Sequence, residues 1–161
     1  MTTGLETDDK AFTSTVELFN GALMKHLGLQ PEMLKVGLLV GRNHMQRGDY
    51  AEAFSTYRTL VLCNPSDVDL QVAFANCCLV VGHPELALQS AAISIGVAPE
   101  DPRGYLLSAR ASAALKAMPE AVSEAKLALD CAERVGHDEA AAEARRLIAA
   151  FSQVGNDAID A

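Results

Sequence analysis

Four histidines and four cysteines carry the strongest potential chemistry in this chain, and their spacing speaks against its use. His26, His44, His83 and His137 fall in separate segments, and no His-Glu-x-x-His run puts two imidazoles on one helix face. Cys63, Cys77, Cys78 and Cys131 show no Cys-x-x-Cys spacing. The adjacent Cys77 and Cys78 would point about 100° apart on a helix, which disfavours a shared metal or an easy disulfide. They read as small apolar core groups and free thiols of a reducing compartment. The paired acids Asp8-Asp9 and Glu100-Asp101 lie in a tail and a turn, where solubility and helix capping account for them. There is no phosphate-binding Gly-x-x-x-x-Gly-Lys-Ser/Thr loop, no Gly-x-Ser-x-Gly elbow and no nucleophile beside an identifiable base. The expectation is a protein with no catalytic residues, no metal and no cofactor, whose work is binding.

Charge narrows what it binds. Against 21 acidic residues stand 13 basic ones, a net −8, so the domain as a whole repels nucleic acid and anionic membrane. With 161 residues, half of them hydrophobic, the chain suffices for one globular domain with a buried core. Met1 to Lys10 is polar and acidic where a signal peptide would be basic and then apolar, and no run of 18 apolar residues occurs. A cytoplasmic protein that does not insert into a membrane is expected.

The elements that must present any binding residues follow from a period of 34. Gly48-Asp49-Tyr50-Ala51-Glu52-Ala53 returns as Gly82-His83-Pro84-Glu85-Leu86-Ala87 and, less faithfully, as Lys116-Ala117-Met118-Pro119-Glu120-Ala121. Pro65 recurs as Pro99, and Gly41 recurs as Ala75 and Ala109. Within each unit the apolar residues have helical spacing, and no segment alternates like a strand. Gly48 ends one helix and Asp49 with Glu52 reads as the cap of the next. Pro84, Pro102 and Pro119 suit first helical positions. The units read as helix-turn-helix pairs over residues 34–67, 68–101 and 102–135. A capping box at Ser14-Thr15-Val16-Glu17 opens a helix assigned to residues 13–33, with Val16, Phe19, Leu23 and Leu27 on one stripe. Gly136 to Asp138 precedes a solvated capping helix within residues 136–154, and residues 1–12 and 155–161 read as flexible tails. The total is eight helices. Gly37 and Gly41 form a Gly-x-x-x-Gly that, in a soluble helix, marks close helix packing.

The unit resembles the tetratricopeptide repeat (TPR), through Gly41, Gly48, Tyr50, Ala53, Tyr57 and Pro65, then Ala75, Gly82, Ala87 and Pro99, then Tyr105, Ala109, Ala121 and Ala128. Lys116 stands where the family has glycine and Glu133 where it has proline. The layout of one helix, three repeats and a final helix resembles the class II chaperones of bacterial type III secretion. Tyr57-Arg58-Thr59-Leu60-Val61-Leu62-Cys63, Ala87-Leu88-Gln89-Ser90-Ala91 and Glu100-Asp101-Pro102-Arg103-Gly104-Tyr105 carry that likeness. It implies an all-α fold of three tandem TPR repeats in a right-handed superhelix. It also implies hydrophobic secreted translocator proteins as partners, and a homodimer formed through the amino-terminal helix, which the stripe of Val16, Phe19 and Leu23 would suit.

Stacked repeats line a concave side with the first helix of each pair. The repeat register puts there Lys35, Leu38, Arg42 and Met45, then Val72, Asn76, Leu79 and Val80, then Arg103, Leu106, Arg110 and Ala113. That is an apolar floor with a basic edge, to which Asn76 adds a group able to donate to and accept from a peptide backbone. A chaperone that masks a membrane-active client is the first expectation, and a TPR adaptor or scaffold in a cytoplasmic assembly is the alternative. The clamp by which some TPR proteins grip a terminal carboxylate maps onto Leu38, Arg42, Ala73, Arg103 and Leu107, of which only Arg103 fits, arguing against that use.

Overall fold

The computed structural model describes residues 23–157, with side chains as far as residue 153. All its regular elements are helices: α1 (Leu23–His26), α2 (Pro31–Arg47), α3 (Tyr50–Cys63), α4 (Val68–Val80), α5 (Pro84–Val97), α6 (Pro102–Ala114), α7 (Met118–Val135) and α8 (Asp138–Asp157). Val16 and Phe19 lie outside the described residues. The helix ends at His26 and the next starts at Pro31, so α2 takes in three residues assigned above to the amino-terminal helix. Pro31 can open a helix because a first-turn N–H has no partner within the helix anyway.

The 34-residue period is kept in three dimensions: α3, α5 and α7 start at Tyr50, Pro84 and Met118. Proline sets where two of them stop. With Pro65 and Pro99 just beyond, α3 and α5 run 14 residues each. Glu133 takes the third proline's place, and α7 continues to 18 residues, one turn longer. Asp67 and Asp101 cap their helices by accepting from the backbone N–H of Leu70 and of Arg103. Asp49 occupies the same kind of position without capping through its side chain. Its carboxylate instead lies 3.6 Å from His44 Nδ1, a correction to the capping expected of it.

From α2 onward each helix packs on the next, α1 packs on α3, and α2, α4, α6 and α8 also touch in series, forming one layer of first helices that α8 extends past the third repeat. Small residues at the repeat spacing permit this. Ala53, Ala87 and Ala121 are fully buried, as are Ala75 and Ala109. Gly41 faces Tyr57 so closely that an added Cβ would sit 2.4 Å from the ring, and one at Gly37 would sit 2.6 Å from Leu60. Both glycines of the Gly-x-x-x-Gly therefore mark the α2–α3 crossing. All four cysteines are buried free thiols. On α8, Ala144 is buried while Ala142, Arg145 and Arg146 face water. Among the described residues no helix is long and apolar enough to cross a membrane.

Candidate functional site

Three adjoining clefts run along the layer of first helices. The first, about 140 Å³, lies between the start of α2 and the α3–α4 turn, lined by Leu34, Lys35, Leu38, Asp67, Asp69 and Leu70 among others. The second, about 340 Å³, shares Leu38 and Asp69 with it and adds Arg42, Met45, Tyr57, Val72, Ala73, Asn76 and Arg103. The third, about 190 Å³, shares Val72, Asn76 and Arg103 with the second and adds Leu106, Leu107, Arg110 and, from α8, Glu143. Together they form one trough from α2 to α8. Its floor is apolar because the positions 34 apart, Leu38, Val72 and Leu106, come from successive first helices.

Of the twelve residues placed on the concave face by the register, nine line these clefts: Lys35, Leu38, Arg42, Met45, Val72, Asn76, Arg103, Leu106 and Arg110. Leu79, Val80 and Ala113 line none of the three. Leu79 is half-buried against the main core. Val80, one residue and about 100° further round the helix, is 52% exposed. Leu106 is 3% exposed and packs with Ala128, Ala132, Ala140, Ala141 and Ala144. It is a core residue whose edge reaches the trough, not an open anchor, because α8 closes over it.

The basic edge is largely neutralised. Arg103 Nη1 donates to Asp69 Oδ1 at 2.8 Å, and its Nε and Nη2 donate to the Asp101 carboxylate at 3.0 and 2.6 Å. Burial pushes the Asp101 carboxyl up, but the bonds from Arg103 outweigh it and hold the group below the ordinary aspartate value. Arg103 is raised in turn, chiefly by its bonds to Asp101. Arg110 Nη2 lies 3.7 Å from Glu143 Oε1. No ion pair among the described residues involves Lys35 or Arg42. Asn76 spends one amide hydrogen on the Val72 carbonyl at 2.9 Å, leaving its oxygen and second hydrogen for a ligand. Beneath Arg42, Tyr57 has its hydroxyl pKa raised, mainly by burial, with Arg42 pulling the other way.

The concave-face reading of the sequence passed over Asp69, Tyr57 and Glu143. Asp69 was findable, since it is the 34-residue equivalent of both Lys35 and Arg103. Glu143 was not, because it depends on α8 joining the layer. Among the described residues no group of three His, Cys, Asp or Glu side chains is placed to hold a metal ion.

No family model and no curated sequence matches the chain. Solved structures do. PcrH of Pseudomonas aeruginosa, in complex with the chaperone-binding region of PopD, is similar with a TM-score of 0.72 at 23% identity, over 80% of this chain and 97% of that one. The Yersinia enterocolitica type III secretion chaperone SycD, in complex with a peptide of the translocator YopD, gives 0.69 at 19%, over 78% and 97%. SycD is also matched in an alternative dimer. The TPR domain of Sgt2 from Aspergillus fumigatus gives 0.71 at 17%, over 82% and 84%. At these identities the likeness establishes a TPR-like fold, shared with translocator chaperones.

Proposed function

We propose that this protein is a non-enzymatic cytoplasmic chaperone of type III secretion, which holds a segment of a hydrophobic translocator along the trough and keeps it soluble until export. The observation that carries the reading is the continuous trough itself, with an apolar floor supplied by three successive repeats and extended by α8. An extended segment that drops apolar side chains onto Leu38, Met45, Val72 and Ala73 gains about 1.5–3 kcal/mol per fully buried anchor before ordering costs. The client segments bound by the similarly folded PcrH and SycD support the assignment. A homodimer belongs to the same reading. Leu23 and Leu27 are exposed at the amino-terminal edge of the stack, and Met33, Val36 and Val40 on α2 add exposed apolar surface there.

The test is Val72→Asp, at a half-buried position that lines two of the clefts. A charge there must be desolvated when a client docks, which costs several kcal/mol at the interface. The variant should keep its helical spectrum and cooperative melting yet leave a co-expressed translocator to aggregate. Arg58→Ala, on the exposed side of α3 where the guanidinium lies 5.9 Å from the Phe54 ring centroid, should protect the client as the wild type does. A folded Val72→Asp that still keeps the client soluble refutes the groove mechanism.

A further inference from the structure

The trough is built mostly of apolar and internally paired groups, which makes its remaining charge informative. Beside the central cleft Arg103 bridges Asp69 and Asp101, one cation against two carboxylates, so it offers no free positive charge. In the third cleft Arg110 faces Glu143. What is left in the central cleft is Arg42, which lines it with Leu38, Met45, Val72 and Ala73 and, like Lys35 at the α2 end of the trough, belongs to no ion pair among the described residues. Tyr57 and the unspent donor and acceptor of Asn76 line that cleft with it.

An exposed guanidinium beside the apolar side chains of Leu38, Met45, Val72 and Ala73 keeps its water while the cleft is open. When an extended segment fills the cleft, water is excluded from that side, and the cation then needs a partner from the ligand. Planar guanidinium matches a carboxylate through two parallel N–H···O bonds. The background sharpens this: in a protein of net charge −8, an unpaired cation in the central cleft both attracts a carboxylate and fixes its place along the segment.

We propose that the trough selects client segments that carry an acidic side chain next to an apolar anchor, the carboxylate pairing with Arg42 while the anchor fills the cleft between α2 and α4. This rests on the reading of the trough as a segment-binding groove. It differs from a clamp for a terminal carboxylate, which needs several free cations, because Arg103 is already committed to two aspartates.

The experiment uses short synthetic peptides, blocked at both ends, of one apolar sequence containing leucine. A single flanking position is varied as Glu, Gln or Lys and scanned along the peptide. Binding to the full chain is read by fluorescence anisotropy at low and high salt. On the wild type the best-placed Glu peptide should bind about three- to tenfold tighter than its Gln counterpart, with Lys weakest, and salt should narrow the spread. Arg42→Gln should level Glu with Gln, and Arg42→Glu should reverse the order of Glu and Lys. Arg145→Gln, outside the trough on α8, should preserve the wild-type order. Circular dichroism verifies that each variant is folded. Equal binding of all three peptides by the wild type, or an order that Arg42→Glu leaves unchanged, overturns the proposal while the groove reading stands. If no peptide binds the wild type, the groove reading falls, and this proposal with it.

Discussion

Replacing Gly41 by alanine tests the packing on which the trough is built. The new Cβ would stand 2.4, 2.6 and 2.9 Å from three atoms of the Tyr57 ring, where ordinary contact begins near 3.4 Å. The ring must therefore retreat by about 1 Å. It is 3% exposed within the main core, beside Ala53, Phe74, Ala75 and Cys77, so the core side has no room for it and the ring can give way only toward the cleft it lines. Overpacking of this kind costs about 1–3 kcal/mol, and the better helix propensity of alanine returns at most about 1 kcal/mol. A net loss of about 1–2 kcal/mol is expected, lowering Tm by roughly 2–8 °C. Urea unfolding followed by circular dichroism measures it. Gly96→Ala is the internal reference: its Cβ meets nothing within 4 Å, and it should stabilise by up to about 1 kcal/mol. Combining Gly41→Ala with Tyr57→Leu should cost less than the two singles added, because the smaller side chain yields the space. If Gly41→Ala is as stable as the wild type or more so, propensity alone has decided the outcome. The close α2–α3 crossing, and the position of Tyr57 in the cleft, would then be wrong.

Lys116 holds φ +62° at the place where the two earlier repeats have Gly48 and Gly82, each at +81°. A left-handed non-glycine residue costs about 1 kcal/mol, so Lys116→Gly should raise stability by about that amount in urea, and Lys116→Val should lower it. Asp101→Asn keeps a helix-capping side chain but removes the charge that meets Arg103. Because the folded Asp101 carboxyl sits below its ordinary value of 3.8, its charge contributes stability that is complete above that value. The contribution is lost as pH falls through the lower folded value, so the wild-type advantage over Asp101→Asn should be flat near neutrality and shrink only on the acid limb of a stability–pH curve. Burial pushes the Cys78 thiol up to about 12 and raises Cys77 as well, and both are fully buried. Iodoacetamide at mildly alkaline pH should therefore modify them only as fast as the protein unfolds. Rapid labelling of the native protein would show that α4 is not packed as described.

The sequence by itself determined the repeating part of this protein. Residues 34 apart see equivalent surroundings, so Ala53, Ala87 and Ala121, the stops at Pro65 and Pro99, and the line Leu38, Val72, Leu106 are legible as soon as the period is found. The irregularities could be seen but not interpreted. Lys116 keeps the left-handed turn without glycine, and Glu133 lets α7 run one turn further. What only the tertiary structure decided is how neighbouring helices meet side chain to side chain. Arg103 looked like a free cation on a basic edge, yet it reaches across to Asp69 on α4, and Arg110 meets Glu143 on a helix outside the repeats. Leu106 looked like an open anchor and is covered by α8. Periodicity is a property of the single chain and places a residue on a face. Whether that face is open, paired or covered depends on the stagger of adjacent helices and on the rotamers of long side chains, and both of these are set between elements.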